Sequence, residues 1–302
     1  MKNEKLYFQT ASLVLLLFIF TGCFSETDED SPQVTIEDEA GRQISIQAQV
    51  ETIISLSPSN TEILFALGFG EKIAGVTEFC NYPAPALKKP RVGGFLDINI
   101  EKIIELDPDI VLASNLHLSD VVPALEKLDI VVVVIDPQDV PSVFDSIKFI
   151  GKITGTEQQA EELTVKLKTE YNKLTNLIKG KERPRVFWEL SEDLWTPGPG
   201  SFINDLIKRA RGENIAAGAT SSWVQLSNET IIESDPEVIF LADHPFGVPV
   251  DKVSGRPGWD SINAVINKRI IEITDVDTIS RPGPRVIDAL EYIAKVLHPE
   301  CF

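Results

Sequence analysis

Residues that build disulfide frameworks or metal centres are scarce in this sequence. Its 302 residues include three Cys, three His and one Met. Three Cys cannot form the several cross-links of a disulfide scaffold, and neither the Cys nor the His residues are spaced as zinc ligands. We therefore expect no metal site and no resident cofactor.

Basic residues are also in short supply. The chain has 28 Lys and Arg against 46 Asp and Glu, which gives a formal net charge of −18. Nucleic-acid binding requires clustered Lys and Arg, and so does docking on anionic lipid through basic patches. We therefore expect neither nucleic acid nor an anionic lipid surface bound through basic patches as a partner. A hydrophobic content of 43% nevertheless indicates a folded chain.

Sequence signatures of catalysis are missing as well. The sequence has no G-x-S-x-G nucleophile elbow, no P-loop and no H-E-x-x-H pair. We therefore predict that the protein is not an enzyme. An extracytoplasmic hydrolase that uses two carboxylates remains the alternative, because so many acidic residues place some pairs close together by chance.

The first thirty residues carry an export signal. Lys2 and Lys5 precede an apolar run over residues 11–20, which is too short to span a bilayer and is followed by Cys23. This pattern resembles a bacterial lipobox. It predicts a signal peptide over residues 1–22 and lipid on Cys23, which would anchor an extracytoplasmic protein in the periplasm or on the outer cell surface. The alternative is a plain secretory signal. Residues 23–33 are polar and acidic and are expected to form a tether.

Strand and helix patterns alternate through the rest of the chain, which predicts an α/β fold. A hairpin is expected around residues 34–46, and Ser59 and Glu62 have the spacing of a capping box at a helix start. Apolar residues recur at helical spacing from Ala160 to Ile178. We predict two α/β lobes, residues 34–154 and 181–302, which are joined by a long rigid helix over residues 155–180, with a ligand cleft between the lobes.

One segment is echoed in the second half. Phe95 stands six residues before Glu101, and Trp223 stands six residues before Glu229. In both segments the sequence Ile-Ile-Glu-x-Asp-Pro then leads into a predicted strand. The matched spacing indicates two lobes of similar construction, each presenting an aromatic side chain and a carboxylate at the same position.

Several motifs together resemble a known family. The chain is similar to the helical-backbone class of ABC-transporter substrate-binding proteins, which carry corrinoids, ferric siderophores and haem, and most of all to its vitamin B12-binding members. The motifs that carry the resemblance are TEFCNYP at 77–83, VGGF at 92–95, GENI at 212–215, WVQLS at 223–227, RPGW at 256–259 and SRPGPR at 280–285.

The resemblance implies roles for particular residues. It implies a monomer that binds a corrinoid between its lobes and delivers it to the permease of an ABC importer. Asp275 is the alternative to Asp277 at one ligand-contact position. A ferric siderophore or haem is the alternative ligand. Glu101 and Glu229 match the carboxylates that dock on the permease. The implied ligand contacts are Phe79, Phe95, Trp195, Trp223, Asp277 and Arg281.

Overall fold

The structure is a computed structural model, which describes residues 33–302. The signal peptide, Cys23 and all but the last residue of the tether lie outside the described residues. Within residues 33–302, no helix is long and apolar enough to cross a membrane.

The N-terminal lobe contains a four-stranded parallel sheet in the order β4-β3-β5-β6. An antiparallel hairpin precedes the sheet, and the helices of this lobe follow its strands. The strands are Gln33–Glu37 (β1), Gln43–Gln47 (β2), Ile53–Ser55 (β3), Ile73–Val76 (β4), Ile110–Ala113 (β5) and Val132–Val134 (β6), and the helices are Pro58–Ala66 (α1), Ile100–Leu106 (α2) and Val121–Glu126 (α3). The hairpin predicted from the sequence is β1 paired with β2.

Two packed helices lie between the sheets of the two lobes. Val140–Thr154 (α4) packs on Glu157–Leu177 (α5), and the turn between them contains Gly155 in the left-handed conformation at φ 68°. Gly151 lets the two helices approach closely, because a Cβ at this position would lie 2.5 Å from the Cβ of Ala160. Helix α5 is the helix predicted over residues 155–180, and its 21 residues span about 32 Å.

The C-terminal lobe repeats the parallel α/β pattern with the strand order β12-β11-β7-β9. A short antiparallel pair, β8 with β10, lies outside this sheet. The strands are Arg185–Glu189 (β7), Trp195–Pro197 (β8), Glu213–Asn214 (β9), Trp223–Gln225 (β10), Val238–Leu241 (β11) and Ile270–Glu272 (β12), and the helices are Phe202–Arg209 (α6), Asn228–Ser234 (α7), Val250–Ser254 (α8), Asn263–Ile266 (α9), Val276–Ser280 (α10) and Val286–Leu297 (α11).

Each parallel sheet is buried on both faces. Successive residues of a strand point to opposite faces, so that Ile53 joins one hydrophobic cluster and Ile54 joins another. In the second lobe, Trp188 and Phe187 divide in the same way. The cluster that contains Ile53 and Trp188 is continuous through α4 and α5. Both lobes therefore share this core, and the two-lobe α/β fold predicted from the sequence is confirmed.

Candidate functional site

A cleft of about 560 Å³ lies between the lobes. This volume is in the range of small-molecule sites, roughly 300–1,000 Å³. Residues of both lobes line it, and five of the six predicted ligand contacts are among them: Phe79, Phe95, Trp223, Asp277 and Arg281.

Phe79 is presented to the cleft by a loop that is fixed from beneath. The neighbouring Cys80 side chain is fully buried, and its sulfur lies 3.2 Å from the hydroxyl oxygens of both Thr61 and Thr77. Arg91 donates hydrogen bonds to the carbonyl oxygens of Thr77 at 2.7 Å and Cys80 at 3.0 Å. Because Cys80 points inward, Phe79 points outward and remains 47% exposed.

Phe95 lies against Phe79, with ring centroids 4.8 Å apart. Its loop turns at Gly93, where φ is 111° and a Cβ would come within 2.4 Å of the carbonyl oxygen of Asp97. The buried His117 ring supports Phe95 from behind. Its Nδ1 accepts the backbone N–H of Ser114, so its Nε2–H donates to the carbonyl oxygen of Phe95 at 3.0 Å. Burial lowers the pKa of His117, which favours this neutral ring.

Trp223 and Trp195 lie on paired strands but do not occupy equivalent positions. Trp223 is opposite Pro197 and Trp195 is opposite Gln225, so the two indoles are diagonal neighbours on one face of the β8–β10 pair. Trp223 is 52% exposed and lines the cleft, whereas Trp195 does not line it. Of the two predicted tryptophan contacts, the structure therefore brings only Trp223 to the cleft.

Arg281 lines the cleft and already contacts four acceptor groups. Its guanidinium, with the residue 8% exposed, donates to Asn81 Oδ1 at 2.7 Å, to the Phe79 carbonyl oxygen at 3.0 Å and to Glu62 at 3.2 Å. Asp277 Oδ2 lies 2.8 Å from the same guanidinium and accepts a hydrogen bond from Asn81. Arg281 therefore joins the lobes across one end of the cleft.

A second arginine of the C-terminal lobe completes this contact. Arg285 donates to both carboxylate oxygens of Glu62, at 2.6 and 2.8 Å, and to the hydroxyl of Thr278. Its guanidinium also lies over the Tyr82 ring, 4.2 Å from the centroid. Glu62 is buried, and we call Glu62, Arg281 and Arg285 the interlobe clamp. The sequence interpretation of Glu62 as a capping residue was wrong, because α1 starts at Pro58 and places Ser59 inside the helix.

Asp275 and Asp277 occupy different positions relative to the cleft. Asp275 is the N-cap of α10 and accepts the backbone N–H of Thr278 at 3.0 Å and the Thr278 hydroxyl at 2.6 Å. Asp277 lies one helical turn before Arg281 and lines the cleft. Of these two carboxylates, Asp277 is the one available to a molecule in the cleft.

One further cleft residue, Asp136, was not identified from the sequence. It follows strand β6, and burial raises the pKa of its carboxyl to about 6, although Asn115 and Gln138 donate hydrogen bonds to it. Its signal in the sequence was only its place after a buried strand, where α/β folds commonly bind ligands.

Glu101 and Glu229 occupy matching places in the two lobes. Each lies in the first turn of a seven-residue helix, α2 or α7, and each side chain is exposed. Both helices end in an aspartate with φ 44°, Asp107 in one lobe and Asp235 in the other. The echo seen in the sequence thus corresponds to one helix–turn geometry used twice.

The Cys and His residues do not converge on the cleft. Cys80 and Cys301 are both free thiols. His298 bonds the carbonyl oxygen of Ala210, and His244 bonds that of Val248. In the described part of the chain no three His, Cys, Asp or Glu residues are grouped as metal ligands would be.

A buried charged cluster lies at the ends of β7 and β11. Arg256 donates to both carboxylate oxygens of Glu189 at 2.6 Å. Asp243 is 4% exposed, and its carboxylate oxygens have no hydrogen-bond donor within residues 33–302. Burial and the neighbouring Glu189 carboxylate raise the pKa of Asp243 to about 7.

Known proteins share this architecture and much of this sequence. The ABC transporter substrate-binding lipoprotein YvrC of Bacillus subtilis is 34% identical over 310 aligned residues, which cover 97% of each chain. The crystal structure of a possible iron-binding (periplasmic solute-binding) protein from Staphylococcus epidermidis superposes with a TM-score of 0.73 at 32% identity, over 83% of this chain and 99% of that one. The periplasmic vitamin B12-binding protein BtuF of Vibrio cholerae superposes with a TM-score of 0.72 at 27% identity, over 83% of this chain and 97% of that one.

The family itself is recognised over most of the fold. Residues 53–276 match the sequence profile of the periplasmic binding protein family, from the first strand of the N-terminal sheet to the start of α10. That span includes the three aromatic residues of the cleft, and also Glu101 and Glu229. The chain therefore belongs to the periplasmic binding protein family and is the substrate-binding component of an ABC transporter.

Proposed function

We propose that this protein captures a corrinoid in the interlobe cleft and delivers it to an ABC importer from a lipid anchor on Cys23. A vitamin B12-binding protein of Vibrio cholerae is 27% identical over 82% of this chain. The role is binding and release, not catalysis. The contacts proposed for the ligand are Phe79, Phe95, Trp195, Trp223, Asp277 and Arg281, with Trp195 at the margin of the cleft.

The charge of the cleft is the observation that carries the choice of ligand. Arg281 is the one cation that lines the cleft in the described residues, and Glu62 and Asp277 already neutralise it. Asp136 adds negative charge to the cleft. An anionic chelate needs free cationic donors, and this cleft provides none. A neutral or cationic ring with amide substituents meets no such requirement.

The aromatic surfaces support the same choice. Phe79, Phe95 and Trp223 are each more than one-third exposed in the cleft. Exposed rings of this kind supply contact area to a large, partly apolar macrocycle at low conformational cost. The cleft lining contains no His, Tyr, Cys or Met within residues 33–302. It therefore offers none of the usual axial ligands of haem iron.

Salt dependence tests the ligand class. If aromatic contact and neutral hydrogen bonds hold the ligand, the Kd for cyanocobalamin should change less than about twofold between low and high NaCl. Quenching of tryptophan fluorescence would follow the titration. The absence of saturable quenching at either salt concentration, with a ferric siderophore binding instead, would replace this proposal with the iron-carrier alternative.

Glu101 and Glu229 are proposed as the contacts to the transporter permease. One exposed charge on each lobe fixes the orientation of the docked complex, because rim charges determine steering and register more than affinity. The double substitution Glu101→Arg with Glu229→Arg is expected to abolish uptake while the ligand Kd stays unchanged.

A matched control exists on the same two helices. Glu105 and Glu233 are exposed and lie one helical turn after Glu101 and Glu229. Glu105→Arg with Glu233→Arg makes the same change in net charge and should leave uptake near the wild-type level. If both double variants lose uptake equally, overall charge and not the proposed contact is responsible.

The lipid anchor is proposed from the sequence of the signal region. Cys23→Ser should remove the thiol that receives the lipid and release the protein from the membrane fraction. Detergent phase partitioning of the wild-type and variant proteins measures this directly. Equal partitioning of both proteins would favour a plain secretory signal.

A further inference from the structure

The N-terminal lobe presents a row of polar side chains to the cleft. Three neighbouring parallel strands of the N-terminal sheet, β3, β5 and β6, end at the cleft, and polar side chains follow each of them. We call these residues the N-lobe polar wall: Ser57, Ser59, Ser114, Asn115, Asp136 and Gln138. The carboxyl ends of parallel strands lie at one edge of the sheet, so these groups form a row.

The rest of the lining mixes apolar and polar side chains. The C-terminal lobe contributes Phe202 and Trp223 together with Asp277 and Arg281, and the N-terminal lobe adds Phe79 and Phe95. A molecule with an apolar ring and polar substituents fits this cleft when its ring lies on the aromatic side chains and its substituents reach the N-lobe polar wall.

Asp136 is the acidic residue of the polar wall. Gln138 Nε2 donates to its carboxylate at 2.6 Å and to its carbonyl oxygen at 2.9 Å. Its backbone N–H donates to Glu39 at 2.7 Å, and Glu39 is the titratable group that faces it. In the described residues no Lys or Arg pairs with either carboxylate. A carboxylate can accept about four hydrogen bonds, so Asp136 retains acceptor capacity toward the cleft.

We infer that the N-lobe polar wall recognises primary carboxamides on the rim of the ligand, with Asp136 accepting a hydrogen bond from an amide N–H and repelling a carboxylate at the same place. The inference rests on the proposed corrinoid function and adds a specificity to it. Asn115 and Gln138 complement the same groups, since a primary amide both donates and accepts. The wall thus selects the amidated form of the macrocycle over forms whose side chains are free acids.

The test compares two corrinoids that differ in the rim. The probes are dicyanocobinamide, with amidated side chains, and dicyanocobyrinic acid, with carboxylates in their place. Calorimetry with the full-length wild-type protein at pH 7.5 should give tighter binding of the amidated probe by about tenfold or more, because like charges at a contact cost affinity. Asp136→Asn should reduce this preference by about tenfold, mainly by improving binding of the acid.

Two further variants make the result specific. Asp129→Asn removes the same charge from an exposed residue of the same lobe, and Asn tolerates the left-handed conformation found there (φ 59°). This control should keep the wild-type preference. Gln138→Glu adds a carboxylate to the wall at an exposed side chain and should increase the preference, which tests the inference without relying on Asp136→Asn.

The outcomes distinguish failure of the polar-wall inference from failure of the corrinoid proposal. Unchanged preference in both Asp136→Asn and Gln138→Glu, with dicyanocobinamide still bound, overturns the role of the polar wall and leaves the corrinoid proposal intact. Failure of the folded wild-type protein to bind either corrinoid overturns both. A preference that follows Asp136 and Gln138 but not Asp129 supports the inference.

Discussion

Replacing Glu62 with Gln is the sharpest test of what holds the two lobes together. Glu62, on α1 of the N-terminal lobe, is about 1% exposed at its side chain and contacts Arg281 and Arg285 of the C-terminal lobe. The substitution keeps the shape of the side chain and removes its charge. Two largely buried guanidinium groups then lose their shared counter-ion, and burial of an unpaired charge is strongly unfavourable.

The expected loss of stability follows from the contacts that remain. Breaking a buried ion pair from one side costs about 3–5 kcal/mol. Arg281 keeps Asp277 at 2.8 Å and Asn81 at 2.7 Å, so the low end of this range, about 3 kcal/mol, applies. With a urea m-value of about 3 kcal/mol/M, the unfolding midpoint should fall by about 1 M.

Urea unfolding followed by tryptophan fluorescence measures this difference. Glu71→Gln is the matched control, because Glu71 is exposed in the same lobe and has no ion pair within residues 33–302. It should change the free energy of unfolding by less than about 0.5 kcal/mol. A Glu62→Gln variant as stable as Glu71→Gln would show that the clamp adds nothing to the interlobe contact. A double-mutant cycle of Glu62→Gln with Arg281→Gln should further give a coupling energy above about 0.5 kcal/mol.

Two more predictions concern the cleft and the buried acid of the second lobe. Trp223→Ala should weaken ligand binding by tenfold or more in a folded protein. Trp195→Ala should weaken it less, because only Trp223 of these two lines the cleft. Titration of both variants measures the difference, and equal losses of affinity would contradict the placement of the two indoles. The folded state raises the pKa of Asp243 to about 7, so the folded protein binds a proton at Asp243 more tightly than the unfolded chain does. The free energy of unfolding should therefore fall as pH rises from about 4 to about 7 and then level off. Urea unfolding of Asp243→Asn across this range should lack that contribution, and a variant with the wild-type pH profile would assign it to another group.

Much of the fold could be predicted from local patterns. Continuous apolar runs such as 110–113 mark strands that are buried on both faces, and the apolar stripe from Ala160 onward marks α5. These features depend on residues near each other in the chain. Helix α4 was missed, although Asp139 and Ser142 form a capping box at its start.

The site was predictable only in part, because its polar contacts join distant residues. Glu62 and Arg281 are separated by 219 positions, and nothing near Glu62 in the sequence indicates its partner. A capping role was the natural local interpretation, and it failed because the helix starts at Pro58, two residues too early for Ser59 to be the cap. Asp136 was missed for a similar reason, since its importance comes from distant segments that meet around it.

The two tryptophans show a second reason why the ligand contacts could not all be predicted from the sequence. Trp195 and Trp223 both stand near residues that form turns, and no local pattern ranks one above the other as a ligand contact. The strand register distinguishes them, because it places Trp223 opposite Pro197 at the cleft and Trp195 two residues further along the pair. Register depends on pairing between segments, and no single segment contains that information.

Calorimetric titration of the purified protein with cyanocobalamin, cobinamide, haem and a ferric siderophore in parallel tests the central claim most directly. The account predicts saturable one-to-one binding of a corrinoid, with haem and the anionic siderophore bound weakly or not at all because the cleft offers them neither an axial ligand nor a free cation. Tight binding of haem or siderophore without corrinoid binding would contradict it.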